Sequence, residues 1–319
     1  MGSKTVTVLL VSALSAGWSV TSAKAADVAS TPECGVAGVV DGGVGYEGGN
    51  VSGPINKSLH GMFMGYGETA MGYGCANWMA QIDGAFYHDG FSGTVNTQNY
   101  DISGNKGHLG GALFWRDASE GRLGLAASEI FNNTHISVTS SPGEDIGGSL
   151  TRVGAFGDYY ASDAVTVGAG GFYVAGIPFS AGSSGLSQSG FEGNLHAIFY
   201  VQDNISLGLQ GDLQLANITS SGTAHAWNGY GISADAEYLI PDTAVSLFVG
   251  GRYASRTLDD VSANVTFNDA QGFVGVKWAF GGPVSSLRAR DRSGTYDNTS
   301  VFNEKLPSLF TDDINAELP

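Results

Sequence analysis

Apolar and polar positions alternate along this chain with a period of two. In the stretch Gly272–Phe280, Val274, Val276, Trp278 and Phe280 fall on one side, while Phe273, Gly275, Lys277 and Ala279 fall on the other. A strand sends successive side chains to opposite faces, so this segment has one greasy face and one that carries a charge. The alternation is cleanest in 204–215. There Ile205, Leu207, Leu209, Leu213 and Leu215 oppose Ser206, Gln210, Asp212 and Gln214. Trp78, Ala80, Ile82 and Phe86 likewise oppose Asn77, Gln81 and Asp83. Leu109, Leu113 and Trp115 oppose His108 and Arg116, and Val245, Leu247, Val249 and Tyr253 oppose Ser246 and Arg252.

The pattern predicts strands near 36–47, 59–67, 75–88, 106–116, 121–131, 149–160, 164–175, 190–201, 204–217, 228–240, 244–255 and 271–280. The connections alternate between long and short. Long ones fall near 48–58, 89–105, 132–148, 176–189, 218–227 and 256–270. Short ones carry turn residues, as in Ser162-Asp163, Gln202-Asp203-Asn204 and Pro241-Asp242-Thr243. The first pair has the weakest pattern, because Met62, Met64 and Tyr66 are poor strand markers; without it ten strands remain and the number stays even.

Two-faced strands in even number, joined alternately by short turns and longer loops, predict an all-β fold: a closed antiparallel transmembrane barrel of twelve strands over residues 36–280. Turning Gln210 and Asp212 toward hydrocarbon would be costly, so the polar faces are expected inside. Residues 1–25 read as a signal peptide. Lys4 precedes the apolar stretch Val6–Trp18, and Ala23-Lys24-Ala25 forms a small-x-small cleavage site. A short N-terminal segment, 26–35, would follow on the periplasmic side. Such a chain is expected in the bacterial outer membrane, with outer-membrane lipid, lipopolysaccharide and the barrel-assembly machinery as partners. Its oligomeric state is left open.

Composition fits this picture. Charged residues are only 14% of the chain, and Gly makes up 49 of 319 residues without a collagen period. Formal net charge is −16; removing residues 1–25 takes away two lysines and no acid, leaving −18. That acidity argues against nucleic acid as a partner. Aromatic rings near strand ends suggest interfacial girdles: Tyr46, Trp78, Phe86, Trp115, Tyr159, Tyr173, Trp227, Tyr238, Tyr253, Trp278 and Phe280. Two cysteines, Cys34 and Cys75, follow the signal peptide, so in an oxidising compartment a disulfide is expected, with two unpaired thiols as the alternative. After Phe280, Gly281-Gly282-Pro283 breaks the strand. The polar tail 281–319 reads as a largely disordered periplasmic extension; the alternative has Arg288, Arg290 and Arg292 docking on the underside of the barrel.

Three stretches resemble a group of poorly characterised, porin-like outer-membrane barrel proteins of alphaproteobacteria. They are 113–125 (LFWRDASEGRLGL), 152–160 (RVGAFGDYY) and 286–297 (SLRARDRSGTYD). The resemblance implies fold and location and carries no catalytic residues.

The candidate chemistry is sparse. Of six histidines (His60, His88, His108, His135, His196, His225), His88 beside Asp89 at a loop edge comes nearest to a catalytic pair, and no partner is placed by sequence. No enzyme, metal site or cofactor is therefore expected. Acids assigned to long loops (Glu144, Asp145, Asp259, Asp260, Asp269) read as solvated. The lumen is the one functional surface that parity reconstructs. Asp41, Glu47, Asp83, Asp158, Glu192, Asp212, Asp235 and Glu237 face His108, Arg116, Arg152, Arg252 and Lys277, with Phe114, Phe156, Tyr160, Phe172, Phe248 and Phe273 on the same wall. An acid-rich wall points to a porin-like passive channel for small solutes or ions with mild cation preference. Paired charges and large rings point the other way, to a closed structural or surface-interaction barrel.

Overall fold

Successive strands that each bury one face and share alternating registers have one way to satisfy every backbone group without an edge, which is to close. In the computed structural model, twelve antiparallel strands do so. It describes residues 34–52, 57–95, 98–138, 141–181, 184–220, 222–259, 264–282 and 285–296. The strands are β1 (Cys34–Ser52), β2 (Lys57–Cys75), β3 (Trp78–Val95), β4 (Gln98–Asp117), β5 (Gly121–Val138) and β6 (Ser141–Ser162), followed by β7 (Val165–Ala181), β8 (Ser184–Gln202), β9 (Ile205–Ser220), β10 (Thr223–Leu239), β11 (Val245–Asp259) and β12 (Asn264–Phe280). Each pairs with the next, and β12 returns to β1 to complete the ring. No helix among the described residues is long and apolar enough to cross a membrane.

The strands run well past the ends that alternation predicted. Much of the segment 89–105 is ladder, with β3 paired to β4 as far as Val95 and Gln98. The same holds for β4 with β5 out to Tyr100 and Val138, and for β11 with β12 out to Asp259 and Asn264. The long connections are therefore tall hairpins that prolong the wall on one side. Their Ser, Thr, Asn and Gly residues read as loop by composition, yet an antiparallel ladder needs backbone pairing and not apolar side chains. The connection after β2 also differs from the reading. Residues 68–74 continue the strand, and Ala76-Asn77 make a two-residue turn in which Ala76 takes φ 51°.

The outer face is apolar. Val40, Val44, Ile82, Leu109, Leu113, Leu123, Leu125, Leu207, Leu209, Leu213, Ile232, Leu247, Val249, Val274 and Val276 all point outward and are exposed. Tyr46, Trp78, Phe86, Tyr159, Tyr173, Tyr238, Tyr253 and Trp278 lie on the same surface. Trp227 is a correction to the girdle: it is buried in the lumen, against Phe267 at 5.5 Å and under the Arg256 guanidinium at 5.2 Å. Tyr230 and Ile232 face out, so parity turns position 227 inward once β10 is extended past Asn228.

Cys34 and Cys75 are ladder partners, joined by a disulfide with Cα atoms 4.1 Å apart. They tie the first hairpin at the end of the barrel where the turns are short and where β12 ends.

Past β12 the chain folds again. Gly281 takes φ +73°, and a Cβ there would run into the Val36 carbonyl, so the reversal into the mouth requires glycine. A short helix, α1 (Leu287–Ser293), follows, capped by the Ser286 hydroxyl accepting from the Ala289 N–H at 3.1 Å. The reading of 281–319 as a solvated extension is thus corrected for its first part, since residues through Tyr296 dock in the barrel. Residues 297–319 lie outside the described residues, as do residues 1–25, read above as a signal peptide, and the segment 26–33.

Candidate functional site in the barrel lumen

The eleven lumen positions assigned from parity all share the inner face. Asp83, His108, Arg116, Arg152, Asp158, Glu192 and Glu237 are buried there, while Asp235, Arg252 and Lys277 line an internal cavity. Asp212 accepts from the Gln210 amide at 2.8 Å along the same face. Most of these charges are paired across strands: Arg152 to Glu192 at 3.4 Å, Lys277 to Glu237 at 3.2 Å, and His108 to Asp83 at 2.8 Å. Such pairing is what buried ions in a low-dielectric wall require.

Moving inward from the short-turn end, the lumen divides into levels. The mouth is crossed by α1. Its Leu287 is buried against Tyr200 and Leu239, and the Leu287 N–H donates to the Asp203 carbonyl in the turn between β8 and β9 at 2.8 Å. Arg290 reaches the wall of β10 and β11, donating to Glu237 at 2.6 Å and to the Ser246 hydroxyl at 3.1 Å. Burial works against the charge of Arg290, but the carboxylates of Asp291 and Glu237 beside it outweigh that and hold it above the ordinary arginine range. Arg292 lies 4.5 Å from the Tyr160 ring centre and 5.9 Å from that of Tyr200, and donates to the Ser162 carbonyl. At the end of the helix Arg116 donates to the Ser293 carbonyl, and just past it Arg122 donates to the Thr295 carbonyl at 3.0 Å.

One level deeper, Tyr296 lies flat on Phe156, ring centres 3.4 Å apart, within a cluster that includes Met79, Phe114 and Phe172. Gln81 holds its backbone. Arg122 also pairs with Asp158 at 2.5 Å, and His196 sits 3.0 Å from the other oxygen of that carboxylate.

Above Tyr296 opens a cavity of about 320 Å³, enough for a small solute or several waters. Its wall mixes charge with rings. Asp41, Glu68, Asp83, Asp235, Glu237 and Asp291 meet Arg122, Arg252, Lys277 and Arg290. Tyr66, Phe248 and Phe273 bound it on the side of the tall hairpins. Gly43 makes room for that cluster, because a Cβ there would sit 2.9 Å from the Tyr66 ring. Arg252 stacks over Phe273 at 4.4 Å.

Further out, Lys106 is buried in the field of Asp89, Glu47 and Asp269, and Gln271 donates to Glu47 at 2.8 Å. Asp269 therefore does not sit in a solvated loop; it lines the lumen. Asp145 does lie exposed, 2.7 Å from His135, and Asp260 is outside the described residues. The adjacent pair His88 and Asp89 is separated by the pleat. Asp89 turns inward and is buried, whereas His88 faces out beside Asn105 at 2.9 Å. Among the described residues no group of three or more His, Cys, Asp or Glu side chains is placed to hold a metal ion.

Sequence reasoning missed Lys106, Asp89, Asp269 and Arg256 as lumen residues because it assigned them to loops or strand edges. It missed Arg122 although parity with Leu123 and Leu125 places it inside. It gave docking of Arg288, Arg290 and Arg292 only as the alternative to a solvated tail, because no alternation continues past Phe280.

No family model matches the sequence, and no curated relative does either. Among solved structures, the chain is similar to an outer-membrane channel from Pseudomonas putida F1 (13% identity, TM-score 0.51), covering 80% of this chain and 98% of that one. It also matches the Pseudomonas putida toluene transporter TodX (7% identity, TM-score 0.45, 76% and 89% covered). A third match is the translocator domain of the autotransporter NalP from Neisseria meningitidis (14%, TM-score 0.45, 76% and 88%). At these identities the likeness is one of fold, a closed antiparallel barrel.

Proposed function

We propose that this chain is an outer-membrane barrel that passes small polar solutes or ions by passive diffusion, with the short-turn end in the periplasm. The observation that carries this reading is the cavity within the lumen, walled by charged, polar and aromatic side chains and lined at its short-turn end by Arg290, Asp291 and Tyr296 of the docked segment. Its six carboxylates against four fixed cations favour cations mildly. The docked segment is the resting closure, and passage requires it to move. Nothing in this reading needs a cofactor or an energy source. The apolar outer surface supports the membrane location, and the three sequence stretches above support a place in the porin-like alphaproteobacterial group.

The test is planar-bilayer recording of the purified, folded full-length protein beside an Arg290→Glu/Tyr296→Ala variant. Brief, rare conductance steps are expected from the first and sustained ones from the second, with a reversal potential under a KCl gradient on the cation-selective side. Silence from both overturns the channel.

A second reading, a closed structural or surface-interaction barrel, is favoured by the buried network of Glu47, Asp89, Lys106 and Asp269. Contacts would then be made by the tall hairpins, and removing 132–148 would abolish surface binding while leaving the bilayer result unchanged.

A further inference from the structure

The residues that hold the C-terminal segment form a recognition site in their own right. Two kinds of contact are present. One kind reads side chains: Glu237 and the Ser246 hydroxyl take Arg290, the rings of Tyr160 and Tyr200 flank Arg292, and Phe156 stacks on Tyr296. The other kind reads the peptide backbone from barrel side chains. Gln81 bonds both the N–H and the C=O of Tyr296, while Arg116 and Arg122 take the carbonyls of Ser293 and Thr295. Side chains that satisfy main-chain groups in this way are what binding an irregular peptide inside a protein demands. The barrel does not need the segment for its own closure, because β12 is hydrogen-bonded to β1 from Gly38↔Phe280 onward. The recognised features also lie entirely within residues 287–296, after the link to β12.

We propose that the short-turn mouth of the lumen is a peptide-binding site for an Arg-x-Arg segment followed four residues later by tyrosine. The chain's own Arg290, Arg292 and Tyr296 fill it here, and the same segment on a separate polypeptide fills it when the resident one is displaced. Two charged anchors, an aromatic slot and a backbone clamp at fixed spacing give the site its selectivity. This inference does not rest on conductance; it describes what the mouth recognises.

The experiment uses the full-length chain in detergent, folded as judged by heat-modifiable gel migration. A fluorescein-labelled synthetic peptide of residues 284–298 is titrated against the wild-type protein and against the Arg290→Glu/Tyr296→Ala protein, read by anisotropy. The peptide is expected to bind the variant at least roughly tenfold more tightly than the wild type, whose site is occupied by its own segment. A peptide carrying the same two substitutions is expected to lose that binding. Equal affinity for both proteins, no binding to the folded variant, or equal binding by the substituted peptide each overturns the proposal. A variant that binds peptide but never conducts would sink the channel and leave the peptide site standing. A variant that conducts but ignores the peptide would do the reverse.

Discussion

The side-chain amide of Gln81 grips Tyr296 by both hydrogen-bonding atoms of its backbone: Gln81 Nε2 donates to the Tyr296 carbonyl at 2.7 Å, and the Tyr296 N–H donates to Gln81 Oε1 at 2.7 Å. Gln81 is buried on β3, and 215 residues of chain separate the two. An amide is the one neutral side chain that offers a donor and an acceptor at this spacing, so it pairs with a peptide unit much as a neighbouring strand would.

Replacing Gln81 with leucine removes both hydrogen bonds to the Tyr296 backbone. That costs about 1–3 kcal/mol of docking. Trypsin cleavage after Arg290 and Arg292 tracks the undocked population when opening is fast. The expected result is a rise in cleavage rate of roughly tenfold or more, with the barrel's own heat-modifiability unchanged. An unchanged cleavage rate would show that Gln81 does not hold the segment.

Alkaline pH should not release the helix. Arg290 has its proton affinity raised in the docked state, so its contribution is fully present below the ordinary arginine pKa and is lost only as pH climbs through a still higher value. Cleavage after Arg292, referenced to a free peptide of the same sequence, should therefore stay flat up to about pH 10. A steep rise below that would mean another group governs docking.

Reducing the Cys34–Cys75 bond should lower the temperature at which the folded gel band converts to the unfolded one. Its chain separation is 41 residues, and on the chain-entropy model such a loop contributes about 4 kcal/mol. The ladder between β1 and β2 persists without it, so the reduced protein should still fold.

Leu213 faces outward on β9 and is half exposed, while Gln210 on the same strand lines the cavity. Leu213→Arg should cost about 2–4 kcal/mol in refolding into lipid vesicles, followed by urea titration. Gln210→Arg should cost far less. Equal costs would mean that the apolar surface does not meet lipid.

Ala76 holds φ 51° in its two-residue turn, a conformation that places its Cβ against the following carbonyl. Ala76→Gly relieves that contact and should stabilise the protein by up to about 1 kcal/mol, seen as a later urea midpoint. A lower midpoint would indicate that glycine's unfolded-state freedom outweighs the relief.

What alternation could read, it read well, because a barrel wall enforces it: Leu207, Leu209 and Leu213 against Gln210 and Gln214 needed no further information. The pattern fades where the composition of a strand turns to Ser, Thr, Asn and Gly. The hairpin tips around Val95, Val138 and Asp259 therefore read as loop although their backbones pair. The lumen charges were legible one at a time, through parity. Their partners were not, since Arg152 with Glu192 or Arg122 with Asp158 depends on neighbouring strands and on register. The docked segment was legible only as an alternative, from its run of arginines. Arg290, Arg292 and Tyr296 carry neither a strand period nor an apolar helix face, and only the shape of the space above them shows what they complete.

The docked segment is also tethered. Six residues separate Phe280 from Leu287, so a segment that leaves the mouth stays within a few nanometres of it. A tether of this length holds its end at an effective concentration on the order of millimolar. Re-docking is then an intramolecular event, independent of protein concentration. Any separate peptide must then compete with a rival that never diffuses away.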